Sequence, residues 1–418
     1  MRDSPSAFGC AAMADSYDVT TVLGREEVLA GTIHRARRGG SFVYAASYLG
    51  NRAAFALAPA LPLFSGPQAL SPTNPFSDSA PDTWGRKVLN RAAGRGLDEL
   101  SLMLGVNDRS RQGATRFWDR GVAVADGDGT PVEAELADVL RVADQIQRGD
   151  KEIAETDVRR LFRATGSLGG ARPKANVLIG DELWLAKFPK PTGDDWNVMA
   201  WEAAMLDGMD AAGIDVPAHA TRSLIVEGET RTILLLRRFD RAEEQIRVPY
   251  ISAMTALESS DGEGGDWVDL VDFARMNGAD PTQLWRRAMF GALVGNLDDH
   301  LRNHGFLRRH GVDWALSPAF DVNPRPLGDG DDHELALFGA RAVIPDTLLT
   351  ADALDLFGMS REAARRQLGR FAEVLPRLRR RAEAHGADAP SIEIMRTRIE
   401  SAVMAAADAT SRSADTSR

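Results

Sequence analysis

The chain has 418 residues and a net charge of −10, with 44% apolar residues, 38 Gly and 20 Pro, the make-up of a folded protein with core enough for two or three lobes. That acidic balance argues against a broad basic face gripping nucleic acid, so any role on DNA would need a partner. A single cysteine, Cys10, excludes intramolecular disulfides and Cys-based zinc sites, and no apolar run approaches the roughly 20 residues of a membrane span.

Met1 to Cys10 lacks a basic segment followed by an apolar one, so a cytoplasmic protein with a flexible N-terminus over 1–16 is expected. From residue 17 to about 60, short apolar runs alternate with turns, as in a small twisted sheet. A Pro/Ser-rich connection runs from Pro59 to Asp82, and Trp84 to Leu104 reads as helical. Residues 17–130 are taken as an N-terminal subdomain.

The segment 133–165 reads as one or two helices. Asn176 to Phe188 then reads as a hairpin turning at Gly180-Asp181, followed by a helix over roughly Asn197 to Ala212 and a second hairpin from Ser223 to Leu236. With these elements, 131–240 forms a second, sheet-rich lobe. Beyond Arg241 the pattern is mostly helical, and 241–408 is taken as a third lobe. Its helix Pro281 to Gly295 carries Trp285, Met289, Ala292 and Leu293 on one face. The Arg-rich run Arg361 to Arg381 has Leu368, Phe371, Val374 and Leu375 at helical spacing, so its arginines are expected on a solvated face. From Ala409 the chain reads as a disordered tail.

Asn296 to Asn303 gathers five Asn, Asp or His side chains into eight residues just after that buried helix. Asp298 and Asn303 have the D-x-x-x-x-N spacing that sets a catalytic base beside a metal-binding amide. Asp321 follows an apolar run and Phe320, where a second metal-binding carboxylate belongs. A magnesium ion needs few protein ligands beyond such hard oxygens. The plain structural alternative is that these Asx residues cap and turn the chain. His300 and His304 also raise zinc, but no Glu follows His300 and Gly305 breaks the helix that such a site needs.

Upstream, Thr165-Gly-Ser-Leu-Gly-Gly-Ala-Arg-Pro-Lys174 is a Gly-rich loop whose N–H groups and Lys174 could face phosphates, although glycines in turns are common. Lys187 lies in an apolar strand and Glu202 in the next helix, placed to pair if the lysine serves phosphates rather than snorkelling to solvent. Arg238-Phe-Asp-Arg241 ends the second hairpin, either as a hinge whose Asp240 meets a ribose or as a surface ion cluster. Each feature is ordinary alone; their order is that of a two-lobed nucleotide enzyme.

At these residues the chain resembles the HipA family of serine/threonine kinases, the toxins of bacterial toxin–antitoxin pairs. The likeness runs from about residue 17 to 385. It rests on Ser167 to Lys174, Ala186-Lys-Phe-Pro189, Arg238 to Arg241, Asn296 to Asn303, Leu316 to Pro324, and Phe76 to Arg86 in the N-terminal subdomain. It implies an α+β, protein-kinase-like two-lobed fold with an extra N-terminal β-rich subdomain and a mostly helical C-terminal lobe. ATP and Mg2+ would be the cofactors. Asp298 would be the catalytic base, Lys187 the ATP-binding lysine, and Asn303 and Asp321 the metal ligands. Nucleotide contacts would come from Gly166, Ser167, Leu168, Gly169, Gly170 and Lys174 of the loop, with Lys187 and Glu202. Arg238, Phe239, Asp240, His300 and Asn303 would complete them. Ser167 would be the site of inactivating autophosphorylation. The implied partners are a HipB-like helix-turn-helix antitoxin, operator DNA through that antitoxin, and a protein substrate such as an aminoacyl-tRNA synthetase. Two other readings remain open: a catalytically silent corepressor, and an aminoglycoside-type small-molecule kinase.

Overall fold

A computed structural model of the protein describes residues 14–36, 40–70, 75–126, 129–164, 170, 172–260, 262–308, 314–328, 330 and 332–415. The chain begins with β1 (Ser16–Leu23), β2 (Glu26–Arg35), β3 (Gly40–Tyr44), the short α1 (Ala46–Leu49) and β4 (Gln68–Leu70). Helices α2 (Thr83–Ala93) and α3 (Glu99–Gly105) follow, then β5 (Arg116–Asp119) and β6 (Val122–Ala123). The six strands form one antiparallel sheet in the order β4-β3-β2-β1-β5-β6. Its inner face buries Tyr17, Val19, Ile33, Phe42 and Phe117, following the alternation of the sequence. The stretch Trp84 to Leu104, read as helical, is two helices. Gly94 ends α2 in the left-handed region at φ 65°, and the Asp98 carboxylate starts α3 by accepting from the Ser101 N–H.

The expected helical segment 133–165 forms α4 (Leu136–Arg148) and α5 (Glu155–Ala164). Both hairpins form as well: β7 (Lys174–Ile179) with β8 (Glu182–Lys187), and β9 (His219–Val226) with β10 (Glu229–Arg237). They join in the order β7-β8-β10-β9, with α6 (Val198–Ala211) between them in the chain. Helix α6 is buried nearly all round, and its apolar sequence has no polar stripe to turn outward. It is pressed so closely on the helical lobe that a Cβ at Gly208 would stand 2.6 Å from Leu378.

The remaining chain is β11 (Tyr250–Ser252), α7 (Ala253–Ala256), β12 (Gly265–Asp266), α8 (Trp267–Met276) and α9 (Pro281–Val294). Strands β13 (Gly305–Leu307), β14 (Ala315–Leu316), β15 (Asp332–Leu337) and β16 (Ala340–Ala342) follow, then α10 (Ala351–Leu356), α11 (Arg361–Val374), α12 (Leu378–Ala384) and α13 (Ala389–Asp415). Asp280 caps α9, Pro281 occupies its first turn, and Gly295 closes it at φ 72°. The Arg-rich run behaves as expected: Leu368, Phe371, Val374 and Leu375 are buried, while Arg361, Arg365, Arg366, Arg370 and Arg377 are exposed. The tail expected from Ala409 is corrected, since α13 continues to Asp415 and buries Ala402, Ala406 and Ala409 against the core. No helix among the described residues is long and apolar enough to cross a membrane.

Candidate active site

Lys187 ends β8 with Leu234 of β10 on one side and Lys174 of β7 on the other. Its Nζ donates to Glu202 Oε1 on α6 and to Asp321 Oδ1 in the loop after β14, each at 2.7 Å. The pair expected from the sequence is thus formed, and a third charge joins it. Burial acts to lower the Lys187 ammonium, yet the Asp321 and Glu202 carboxylates together hold it well above the usual lysine value. Burial pushes Glu202 upward. At Asp321 burial is outweighed by Lys187, which holds this carboxyl well below the usual range, so Asp321 is the more firmly ionised of the two.

The polar stretch after α9 divides into a framework and an exposed edge. Asn296 Oδ1 accepts from the Asn323 N–H at 3.0 Å, and the Glu334 N–H donates to the Leu297 carbonyl at 3.0 Å. Asp299 and His304 meet at 2.9 Å in the interior, with the Trp267 ring edge-on to His304 at 5.0 Å. These contacts fix the loop and engage the His304 ring in the interior. The Asn303 Nδ2 donates to the Asp298 carbonyl at 3.0 Å, leaving Oδ1 as the atom that can accept a cation. Asp298 itself is exposed. Partial desolvation pushes its carboxyl up, with the Asp321 charge acting the same way and His300 opposing. His300 also lowers Asp321, so one imidazole influences both carboxylates.

Asp321 adopts φ 60°, in the left-handed region that Asp tolerates better than most residues. Asn323 Nδ2 steadies its Oδ1 at 2.9 Å. In front of Asp321 and Lys187 lies an open cleft between the lobes. Leu185, Leu236 and Arg237 line it from the four-stranded sheet, Arg238 and Phe239 from the connection to the helical lobe, and Tyr250, Arg302 and Phe320 from the helical lobe. Phe239 stacks obliquely on Phe320 at 5.5 Å and Tyr250 at 6.0 Å, giving an aromatic wall.

Sequence reasoning missed the share of the N-terminal subdomain in this cleft. Asp78 and Gln112 line it. Asp78 Oδ2 accepts from the Ser252 N–H at 2.8 Å, and Ser77 Oγ meets Thr255 Oγ1 at 2.7 Å. Lys174 Nζ donates to Asp82 at 2.8 Å, while the Trp84 indole N–H donates to the Lys174 carbonyl at 3.0 Å. The only signal was the concentration of Ser and Asp between Phe76 and Trp84, polar groups set among apolar ones.

Asp240 requires a correction. It does not face the cleft as a ribose ligand would. Its oxygens accept from Arg238 at 2.7 and 2.5 Å, from Arg241 at 2.9 Å and from the Gly113 N–H at 2.7 Å, in a site 1% exposed. Asp240 is neither a hinge ligand nor a surface group; with Arg238 and Arg241 it ties the N-terminal subdomain to the strand end. Of the Gly-rich loop, Gly166, Ser167, Leu168 and Gly169 lie outside the described residues. Gly170 has φ 117°, and a Cβ there would stand 2.8 Å from Lys174 Nζ.

Two family models match the chain: a HipA N-terminal domain over residues 24–110 and a HipA-like C-terminal domain over residues 166–379. A Haemophilus influenzae protein named "Putative kinase" is 25% identical over 184 residues, which is 38% of this chain. The match spans about half, 54%, of that relative's length. Among solved structures, a chain of the Shewanella oneidensis MR-1 toxin–antitoxin complex of HipA, HipB and operator DNA superimposes with a TM-score of 0.68. It is 16% identical, covering 93% of this chain and 96% of that one. The kinase CtkA of Helicobacter pylori is more distant, with a TM-score of 0.42 over 59% of this chain and 95% of its own.

Proposed function

This chain belongs to the HipA family, and from that premise we propose that it is an ATP- and Mg2+-dependent protein kinase acting on serine or threonine hydroxyls. The observation that carries the proposal is the meeting of Glu202, Lys187 and Asp321 at 2.7 Å contacts on the edge of an interlobe cleft. A buried lysine shared by a helix carboxylate and a loop carboxylate is suited to phosphate contacts. The cleft is lined by both apolar and charged side chains, and its aromatic wall offers a flat apolar face to a base.

Asn303 Oδ1 and the ionised Asp321 are hard oxygen donors of the kind Mg2+ takes, so these two residues would hold it. When bound, the ion would neutralise charge on the β- and γ-phosphates. Lys187 would orient the α- and β-phosphates, held by Glu202. Asp298, exposed and with its carboxyl pushed up, would accept the proton of the attacking hydroxyl. Ser167 is proposed as the site at which the enzyme modifies itself; two added charges within a phosphate-cradling loop would drive that loop out and stop turnover.

The association of the Shewanella protein with HipB and operator DNA supports proposing a HipB-like antitoxin here, with DNA reached through it. A translation-related protein such as an aminoacyl-tRNA synthetase is the first substrate class to try. Incubating the chain and labelled ATP with such proteins and with aminoglycosides tests the reading. Label is expected on protein hydroxyls. Label on aminoglycosides alone would replace protein by small-molecule phosphorylation, and ATP binding without transfer would favour a silent corepressor.

A further inference from the structure

Outside the residues that line the cleft, three side chains from three elements converge. Asp207 lies in the last turns of α6, His219 begins β9, and His385 follows α12. The two imidazole Nε2 atoms stand 3.0 and 3.1 Å from the two oxygens of Asp207, and one ligand atom from each residue lies within 4.8 Å of the others. We propose that Asp207, His219 and His385 bind one divalent transition-metal ion of the zinc type.

The outer hydrogen bonds carry the argument. His219 Nδ1 lies 3.0 Å from the Pro217 carbonyl, which can only accept, so the ring hydrogen belongs on Nδ1. In the neutral ring the Nε2 lone pair then points at a carboxylate oxygen, another acceptor, 3.0 Å away. Either a second ring proton or a metal ion must lie between them. At His385 the Thr221 hydroxyl, 3.1 Å from Nδ1, can receive that ring's hydrogen and leave Nε2 free in the same way. A metal-bound histidine commonly donates its second nitrogen to a carbonyl or other oxygen in this manner, which fixes the tautomer and aims the lone pair.

Two imidazoles and a carboxylate are a ligand set for zinc, and the separations suit a tetrahedral ion after small side-chain rotations. The side chains are only partly covered, at 31%, 10% and 18% exposure for Asp207, His219 and His385, which leaves room for a water as the fourth ligand. Arg381, 3.4 Å from Asp207, is the opposing charge and would swing outward on metal binding. Asp207 is five residues, about one and a half turns, beyond Glu202 on the same helix. A bound ion would therefore pin the helix that holds Lys187 to β9 and to the end of α12.

The test is zinc uptake by the metal-free full chain near neutral pH in excess Mg2+, which keeps the hard-oxygen ligands of the cleft occupied. One equivalent should bind and raise the melting temperature. The His219→Gln/His385→Gln variant should lose that equivalent, and His385→Gln alone should weaken it by more than the roughly 10–100-fold that a change in an outer hydrogen bond costs. Cobalt added to the unaltered protein gives a second readout that needs no variant: a tetrahedral visible spectrum is expected. No uptake, equal uptake by the variants, or an aquo-like cobalt spectrum would overturn the proposal and leave a histidinium–carboxylate cluster.

Discussion

Lys187 and Asp321, 134 positions apart in the chain, meet at 2.7 Å across the boundary between the sheet-rich and helical lobes. The contact joins the end of β8 to the loop after β14, and Glu202 of α6 completes it from behind. Removing the lysine should therefore do two things. Lys187→Met should abolish measurable nucleotide binding and also destabilise the fold, by up to about 3–5 kcal/mol, because two carboxylates lose their shared cation. Uptake of a proton by Glu202, already pushed upward by burial, would reduce that cost. Calorimetry with Mg-ATP and urea melts on one preparation would check both effects; unchanged stability would mean that the pair is not closed in solution.

Asp240 predicts a pH dependence. Burial opposes its ionisation, but Arg238 and Arg241 hold its carboxyl well below the usual range. A lowered folded value means that the unfolded chain takes up the proton first as pH falls. The stabilisation is therefore complete above about pH 5 and declines from the unfolded value of about 3.9 down through the folded one. Asp240→Asn should cost about 3–5 kcal/mol at neutral pH, since two buried guanidinium groups lose their counter-charge. The difference between parent and variant in urea melts should be flat from pH 6 to 8 and shrink in acid; a difference growing in acid would refute the assignment.

Gly305 follows the polar loop and faces the aromatic wall. A Cβ there would stand 2.3 Å from the Tyr250 ring, which is itself buried and has nowhere to retreat except the cleft. Gly305→Ala should cost about 1–3 kcal/mol as overpacking and should weaken nucleotide binding by moving Tyr250. Wild-type affinity in the folded variant would show that Tyr250 is not part of the nucleotide site.

The N-terminal subdomain should matter to the cleft as well. Asp78→Ala would strip the Ser252 N–H of its acceptor in a buried site, a loss of about 1–3 kcal/mol, and would change the cleft wall beside Tyr250. A lowered melting temperature together with weaker nucleotide binding is the expected pairing. Reduced stability with unchanged binding would confine Asp78 to a structural role.

How far the sequence anticipated these relationships depended on the range of the interactions. Both hairpins around α6 were legible because apolar alternation and the turn at Gly180-Asp181 are local signals. The Lys187–Glu202 pair was legible because 15 residues of strand, turn and helix set its geometry. Asp78 and Asp82 were not read as cleft and loop supports, since their partners Ser252 and Lys174 lie 174 and 92 positions away. Asp240 was misread because flanking arginines mark a surface cluster as readily as a buried one; only Gly113, brought in from the N-terminal subdomain, distinguishes them. The end of α13 was read as a tail because its alanines and serines look solvated, yet the helix continues to Asp415 and Ala409 meets the core.

The most direct test of the central claim compares phosphate incorporation by the protein and by Asp298→Asn, each incubated with Mg-ATP from an unphosphorylated start and followed by intact mass. The unaltered chain should gain phosphate. The variant should gain it about 100- to 10,000-fold more slowly while still binding nucleotide, as expected for loss of a general base. Equal incorporation by both would contradict the role given to Asp298, and no incorporation by the unaltered chain, with or without a protein substrate, would contradict the kinase itself.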